Sequence, residues 1–552
     1  MRVRMPIVNT ITLPQDVLDR VERVLAYHHS TRLTNESVHR EPHKPDPAHR
    51  PFDFRVFEEL TPLPLPTALI DPAVPALGLM EHGLAALPVD RSGPGQDLKT
   101  LASWLHFADG ITSRRRTVSG MQYTRTCASD GNCFPTELYV AAFAIDGLDP
   151  GLYHYSPSEF ALRRLRDGAE TLARLTRGRP DLIFLRTVPL AILVSTIFCR
   201  STWRFARRGY RHALHDAGYL VQNLVTVGTA LGAQTMTRMI FNDAATRELI
   251  GVRADADFGE AEAVQAMVAW VDHAHKPLNL PQRAEAGAAP AVAQPMPPIA
   301  RLPLAGEITS YVSILEAHQD CVAPGVAVRE VRPPITDLDP MPQDAAVFRP
   351  PPLPEPPAGE ALRKILLTRA ATAKFIDRPI LRDEFARINR LAFRGGTFYP
   401  LHPDGPHVAL VRPFWVIHNV SGFDAGVWYY HPPTDQWTIL HPGAFRREAG
   451  YLALEQPLFG RGAATCFLHC HLHHVMAIAG PDVYRLAHLE CGIITNRIAL
   501  STEALDLGWA ETGSFYDDET RQFLGLRMTG WEPLSVVSIG HRGRDTDAVV
   551  AS

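Results

Sequence analysis

Six thiol and imidazole side chains fall within the nine residues CFLHCHLHH: Cys466, His469, Cys470, His471, His473 and His474. Such groups can hold a zinc ion, with Cys466, His469 or Cys470, and His473 or His474 as ligands. Structural zinc sites, however, draw their ligands from two separated pairs, and one dense run seldom supplies the directions of a tetrahedron. The expectation is a partly buried strand or helix edge without metal, and cysteine nucleophilic catalysis has no partner pattern here. A second group able to move protons lies in RGYRHALHDAG, with Tyr210, His212 and His215, echoed by Tyr484 and His488 in YRLAHLECG. Tyrosine and histidine in such helices are more often packed core residues than acids or bases.

More than one core must position these residues. A chain of 552 residues, 46% hydrophobic and 21% charged, reads as globular and exceeds what a single core organises. A net charge of −4 gives no global basic field. Nucleic acid is therefore not an expected partner, although Arg114, Arg115 and Arg116 form a local patch. Seven cysteines without a CxxC pair argue against a disulfide framework and for a reducing cytoplasm. MRVRMPIVNT lacks a signal-peptide core, and no run of about 18 apolar residues predicts a membrane span.

Proline and alanine dominate residues 276–358, which read as a linker with a short ordered piece near ITSYVSILEAHQD. Residues 1–93 precede two segments of similar size, 94–275 and 359–545, and these repeat one another. GLDPGLYHYSP from Gly147 matches GFDAGVWYYHP from Gly422, an offset of 275 residues. YRHALHDAG from Tyr210 matches YRLAHLECG from Tyr484, and FNDAATRELIGV from Phe241 matches FYDDETRQFLGL from Phe515, both offset by 274. In each repeat a helical segment (LKTLASWLHFADG or LRDEFARINRLAF) precedes a β-rich run (ELYVAAFAI or FWVIHNV), the aromatic turn and a long apolar helix. The sequence thus predicts an α+β unit occurring twice.

In their order and spacing these motifs resemble the SagB-type dehydrogenases, nitroreductase-superfamily flavoproteins that include the azoline oxidases of thiazole- and oxazole-forming peptide synthetases. LAYHHSTRLTNES, with Tyr27, His28 and Thr31, is similar to the family's opening Tyr-His-x-x-Thr-Lys element. ASDGNCFPTELYV, with Ser129, Gly131, Asn132 and Pro135, resembles the loop that the superfamily lays along the flavin ring. RGYRHALHDAGYLVQNL, ALGAQ and FNDAATRELIGV resemble the long helix and the flavin-proximal turn after it. The resemblance implies two tandem nitroreductase-like domains, each a mostly antiparallel sheet flanked by helices, paired as a pseudo-dimer. It also implies FMN as cofactor, an azoline-containing peptide as substrate and a cyclodehydratase as partner, with residues before 94 binding one or the other. A further homodimer is left open.

Within that frame, Gly131 permits a close approach to a flavin ring, while Ser129 and Asn132 offer it donors. Arg125 and Arg211 are candidates for flavin phosphate or a ring carbonyl. The phosphate motif Arg-x-Ser-x-Arg is degraded in both repeats, to Asp90, Arg91 and Ser92 in the first and to TRAATAKF in the second, where Arg369 and Lys374 remain. One repeat is therefore expected to complete the other's site, with Arg542 and Arg544 of SIGHRGR contributing, and one FMN bound per chain. The Lys-Tyr pair of azoline oxidases is replaced by Arg204 and Phe205, so the catalytic candidates are Arg204, Tyr210 and His212. Azoline oxidation is the leading expectation. The alternatives are an NAD(P)H-dependent reductase of an activated C=C, nitro or dehydroamino-acid group, and a flavin-free peptide-binding scaffold.

Overall fold

A computed structural model describes residues 13–87, 95–117, 120–177, 179–239, 242–252, 260–271, 296–322, 347–393, 409–527 and 529–543. The expected tandem α+β architecture is present. In the first sheet the spatial order is Pro62–Pro64, Ala161–Asp167, Gly151–Ser156, Thr136–Ala142, Leu190–Ile197, Glu262–Trp270 and Thr235–Arg238. The second runs Val347–Phe348, Gln436–Pro442, Gly426–His431, Val411–Ile417, Ala464–Cys470, Glu532–Arg542 and Phe375–Ile376, with Gly508–Thr512 also on Glu532–Arg542. All pairings within the two sheets are antiparallel. The central strands Thr136–Ala142, Leu190–Ile197, Val411–Ile417 and Ala464–Cys470 are buried at every residue. Both faces are covered, which is why these segments read as continuous apolar runs rather than alternating ones.

The repeated motifs mark equivalent turns. Gly147 and Gly422 adopt φ of 83° and 77°, and Gly251 and Gly525 adopt 77° and 71° after the helices Asp243–Leu249 and Asp517–Phe523. These are left-handed positions that glycine takes without steric cost. Val347–Phe348, inside the expected linker, extends the second sheet, and the ordered piece is the helix Val312–Asp320. That helix is tied to the N-terminal helix Gln15–Ser30 by Arg23 and Asp320 at 2.7 Å.

Each repeat contributes one 22-residue helix, Gly209–Ala230 and Val483–Ala504, and the two cross each other at the centre of the molecule. Both are buried almost all round, as expected of helices packed between two sheet-bearing bodies. They cross at glycine: a Cβ on Gly218 would overlap the Leu489 carbonyl, and one on Gly492 would overlap the His215 carbonyl. The two contacts are images of each other under the sequence offset, the signature of a self-complementary, pseudo-twofold interface. Around the crossing His215 Nε2 meets His488 Nδ1 at 2.9 Å, Asn496 donates to Asn223 at 2.8 Å and Arg497 donates to Gln222 at 2.9 Å.

Asp216 and Glu490 occupy equivalent positions on these helices. Asp216 accepts the Asp130 N–H at 3.1 Å, and Glu490 accepts the Leu410 N–H at 2.9 Å. Burial pushes the Glu490 carboxyl up to about 7. The folded chain therefore keeps a proton that the unfolded chain releases, so this group's contribution is complete at low pH and is lost as pH rises through 7. Glu490→Gln, which resembles the protonated form, is expected to flatten the fall of Tm between about pH 4.5 and 7; a wild-type pH dependence in melts of the variant would count against this.

Candidate active site between the repeats

A cavity of about 400 Å³ lies where the loop before strand Thr136–Ala142 meets the second repeat. Its walls include Arg125, Ser129, Gly131 and Asn132 from the first repeat and Arg369, Trp509 and Glu511 from the second. The loop is held from behind. The Ser129 hydroxyl donates to Asp216 at 2.5 Å and accepts the Phe134 N–H at 2.8 Å. Ser129 is thus occupied as a brace of the turn, and the cavity-facing donors come from the rest of the loop. Gly131 sits at φ 61°, and the space its Cβ would take is filled by Arg204 and Phe205. Its lack of a side chain therefore serves the packing of Arg204 as well as the turn.

Arg125 pairs with buried Asp109 at 3.0 Å and donates to the Asp53 carbonyl at 2.8 Å, leaving its Nε without a partner. Burial pushes Asp109 up to about 6 despite this guanidinium. From the other repeat, Arg369 reaches across to the Thr126 carbonyl and to Asn223 Oδ1 at 2.7 Å, and lies 5.1 Å over the Tyr219 ring. Its Nη1 is buried with no partner. Lys374 lies beside Gly543, and neighbouring Phe375 pairs in register with Arg542, so Arg369, Lys374 and Arg542 share one strip of the second repeat. The Arg542 guanidinium is engaged by Glu503 at 2.5 Å and by the Leu507 carbonyl at 3.0 Å. Arg544 lies outside the described residues.

The other candidates divide sharply. His212 lies at the junction: Nδ1 is 2.6 Å from Asp130, Nε2 is 3.3 Å from the Ser514 hydroxyl, and the ring stacks on Phe205 at 3.7 Å. Tyr210 is fully buried and hydrogen-bonds His318 at 3.1 Å. Arg211 pairs with Asp517 at 3.0 Å and donates to the His28 carbonyl at 2.6 Å. Neither Tyr210 nor Arg211 lines the cavity. Arg204 lines a smaller adjoining cavity of about 240 Å³ together with Arg50, Asp53 and Trp203. On the far wall of the larger cavity, burial followed by the charges of Asp130 and Asp216 holds the Glu511 carboxyl well above the usual carboxylate range.

The first of the two bodies matches a known family over residues 97–269. The match is to the nitroreductase family. A provisionally assigned nitroreductase of Methanocaldococcus jannaschii is 26% identical over 156 residues, which are 28% of this chain and 75% of that protein. The crystal structure of a provisionally assigned nitroreductase from Anabaena variabilis superimposes with a TM-score of 0.73 at 22% identity, covering 94% of this chain and 99% of that one. The nitroreductase fold therefore extends through both repeats as a tandem.

In the second nitroreductase-like unit the Cys/His run does not converge. Cys466 and Cys470 project from strand Ala464–Cys470 into the core beneath the long helices, while His469 points to the opposite face against Phe414, their rings 5.0 Å apart. Among the described residues no three potential ligands are grouped closely enough for a metal, and no helix is long and apolar enough to cross a membrane. Sequence reasoning passed over Asp216, Tyr219, Trp509 and Glu511. Asp216 carried a signal, since the 274-residue offset sets it opposite another acid, Glu490. Trp509 and Glu511 carried none, because what brings them to the loop is the packing of the two repeats.

Proposed function

We propose that this chain is an FMN-dependent oxidoreductase holding one flavin between its repeats, and that it oxidises azolines in a peptide to azoles. The supporting observation is the composite cavity. Its volume falls in the range of cofactor sites, Phe134, Tyr219 and Trp509 are among its lining residues, and two others, Arg125 and Arg369, each keep a buried guanidinium nitrogen without a partner. Such orphaned donors fit an anionic or carbonyl-bearing ligand. Arg369, Lys374 and Arg542 would hold the phosphate, and the loop at Gly131 and Asn132 would lie along the ring. FMN, when bound, supplies a hydride acceptor. The chain's own residues orient the substrate, exclude water and take up the second hydrogen as a proton. The azoline substrate and a cyclodehydratase partner rest on the sequence resemblance. A part for the N-terminal region in substrate binding is supported by Arg50 and Asp53, which reach the smaller cavity beside Arg204.

The test is the visible spectrum of the purified chain, followed by quantitation of what heat releases. Oxidised-flavin bands with about one FMN per chain are expected; a colourless protein that cannot be reconstituted overturns the proposal and favours the scaffold. One observation favours a second reading, reduction by NAD(P)H: Glu511 lines the cavity, and burial with the charges of Asp130 and Asp216 raises its carboxyl, which favours a role as proton donor. Anaerobic mixing separates the two, since an azoline peptide bleaches the flavin only under the first and NAD(P)H does so rapidly only under the second.

A further inference from the structure

We propose that the smaller cavity is a carboxylate subsite, in which Arg204 holds an acidic group of the substrate close to the ring that reacts. The inference rests on the reading above, that the substrate reacts in the larger cavity, and it narrows the substrate class to a peptide with a carboxylate beside the azoline. Gly131 and Asn132 line both cavities, so the two meet at one turn of the loop.

Three arginines, Arg50, Arg200 and Arg204, line the smaller cavity, and two of them are neutralised. Arg50 pairs with Asp53 at 2.9 Å. Arg200 pairs with buried Glu137 at 2.7 Å and donates to the Phe52 and Phe134 carbonyls at 2.9 Å each. Arg204 has neither a hydrogen bond nor an ion pair among the described residues, so its positive charge is left without an anion. The side-chain amides of Gln122 and Asn132, which line the same cavity, are likewise without partners among the described residues. A guanidinium fork donates to both oxygens of a carboxylate at once, and amide N–H groups satisfy the lone pairs that remain.

An exposed arginine alone is a weak feature, since water screens it and its long side chain must be ordered on binding. Arg204 is already ordered. A Cβ on Gly131 would overlap its Cδ and Nε, so the stem lies against bare loop backbone. The neighbouring Trp203 is fixed too: its indole N–H donates to the Asp46 carbonyl at 2.7 Å, and the Arg50 guanidinium lies 6.0 Å from the ring centre. With its stem seated and its head free, Arg204 presents the fork with little rotamer freedom left to lose. A volume of about 240 Å³ has room for an acidic side chain. A neutral amide in the same place lacks the charge and turns N–H groups toward N–H groups, so discrimination against it should be about tenfold or more.

The experiment titrates the nitrogen-15-labelled full chain with N-acetylglycine and with its neutral counterpart N-acetylglycinamide, following the Trp203 indole resonance, which Trp203→Phe identifies. N-acetylglycine is expected to shift that resonance saturably, with an affinity about tenfold or more above that of the amide. Arg204→Ala should keep its melting temperature and flavin content and bind the two alike. Arg204→Lys should recover part of the preference, because it keeps the charge without the fork. With azoline peptides that differ only in aspartate or asparagine beside the ring, wild type should favour aspartate in kcat/KM by a similar factor, and Arg204→Ala should not. Equal affinity of wild type for acid and amide overturns the subsite, as does a preference that survives in Arg204→Ala. Loss of flavin from Arg204→Ala, or inorganic phosphate binding more tightly than N-acetylglycine, overturns it as well by making this a phosphate site. If wild type ignores both azoline peptides but keeps an Arg204-dependent preference for N-acetylglycine, the reaction assigned to the larger cavity fails and the subsite stands. Azoline oxidation with no preference for aspartate does the reverse.

Discussion

Valine in place of Gly218 is expected to destabilise the chain by at least 3 kcal/mol, about the upper range for overpacking, and to strip it of flavin. At this position the two long helices touch backbone to backbone, and a Cβ would overlap the Leu489 carbonyl oxygen and crowd its carbonyl carbon. A flexible side chain could rotate away, but a helical carbonyl cannot move without shifting its whole helix. Valine adds a second penalty, because its branched Cβ has a single good rotamer in a helix. Gly492→Val should behave alike, meeting the backbone of His215 and Tyr219. Since Arg369, Trp509 and Glu511 come to the cavity from the second repeat, separating the helices also opens the site. Gly78→Ala in helix Ala76–His82 is the control: nothing lies within 4 Å of its added Cβ, and the variant should match or exceed wild type by about 0.5–1 kcal/mol. Denaturant titration with parallel flavin quantitation measures all three. A Gly218→Val protein as stable as wild type would show that the helices do not cross here.

Arg369→Ala carries the next largest effect. One guanidinium from the second repeat satisfies the Thr126 carbonyl and Asn223 Oδ1 in the first. Truncation removes the charged donor from both and leaves the Thr126 carbonyl only the Asn223 amide at 3.3 Å and Asn223 Oδ1 only the Asn496 amide at 2.8 Å, at a cost of about 1.5–3 kcal/mol. Loss of one charged contact to the ligand weakens binding by tenfold for every 1.4 kcal/mol, so the purified variant should hold less than about a tenth of the wild-type FMN. Arg369→Lys should not restore it, because an ammonium lacks the planar fork that reaches the Thr126 carbonyl and Asn223 Oδ1 together. Full flavin content in Arg369→Ala would move the cofactor away from this strip.

Much of the architecture was legible in the residues. The helices Leu98–Asp109 and Arg382–Phe393 show helical spacing, the paired glycines mark equivalent turns, and the common offset of three motifs announces the duplication. These are local signals, set by backbone conformation and by which face of an element must be apolar. The site was legible only in part. Arg125, Ser129, Gly131 and Asn132 do meet at one cavity with Arg369, because a single loop carries four of them. Tyr210 and His212, two positions apart on one helix, looked interchangeable, yet one faces a buried histidine and the other the junction of the repeats.

By itself, then, the sequence determined the elements, their order and their doubling, since each follows from interactions between residues close along the chain. Tertiary structure alone decided which hydroxyl meets His212, which acid shares a wall with Gly131 and where the two helices touch. Such pairings join residues far apart along the chain, 383 positions for Asp130 with Gly513 and 243 for Thr126 with Arg369. Their geometry is fixed by packing one repeat against the other to interior density, a constraint that no local stretch of residues expresses.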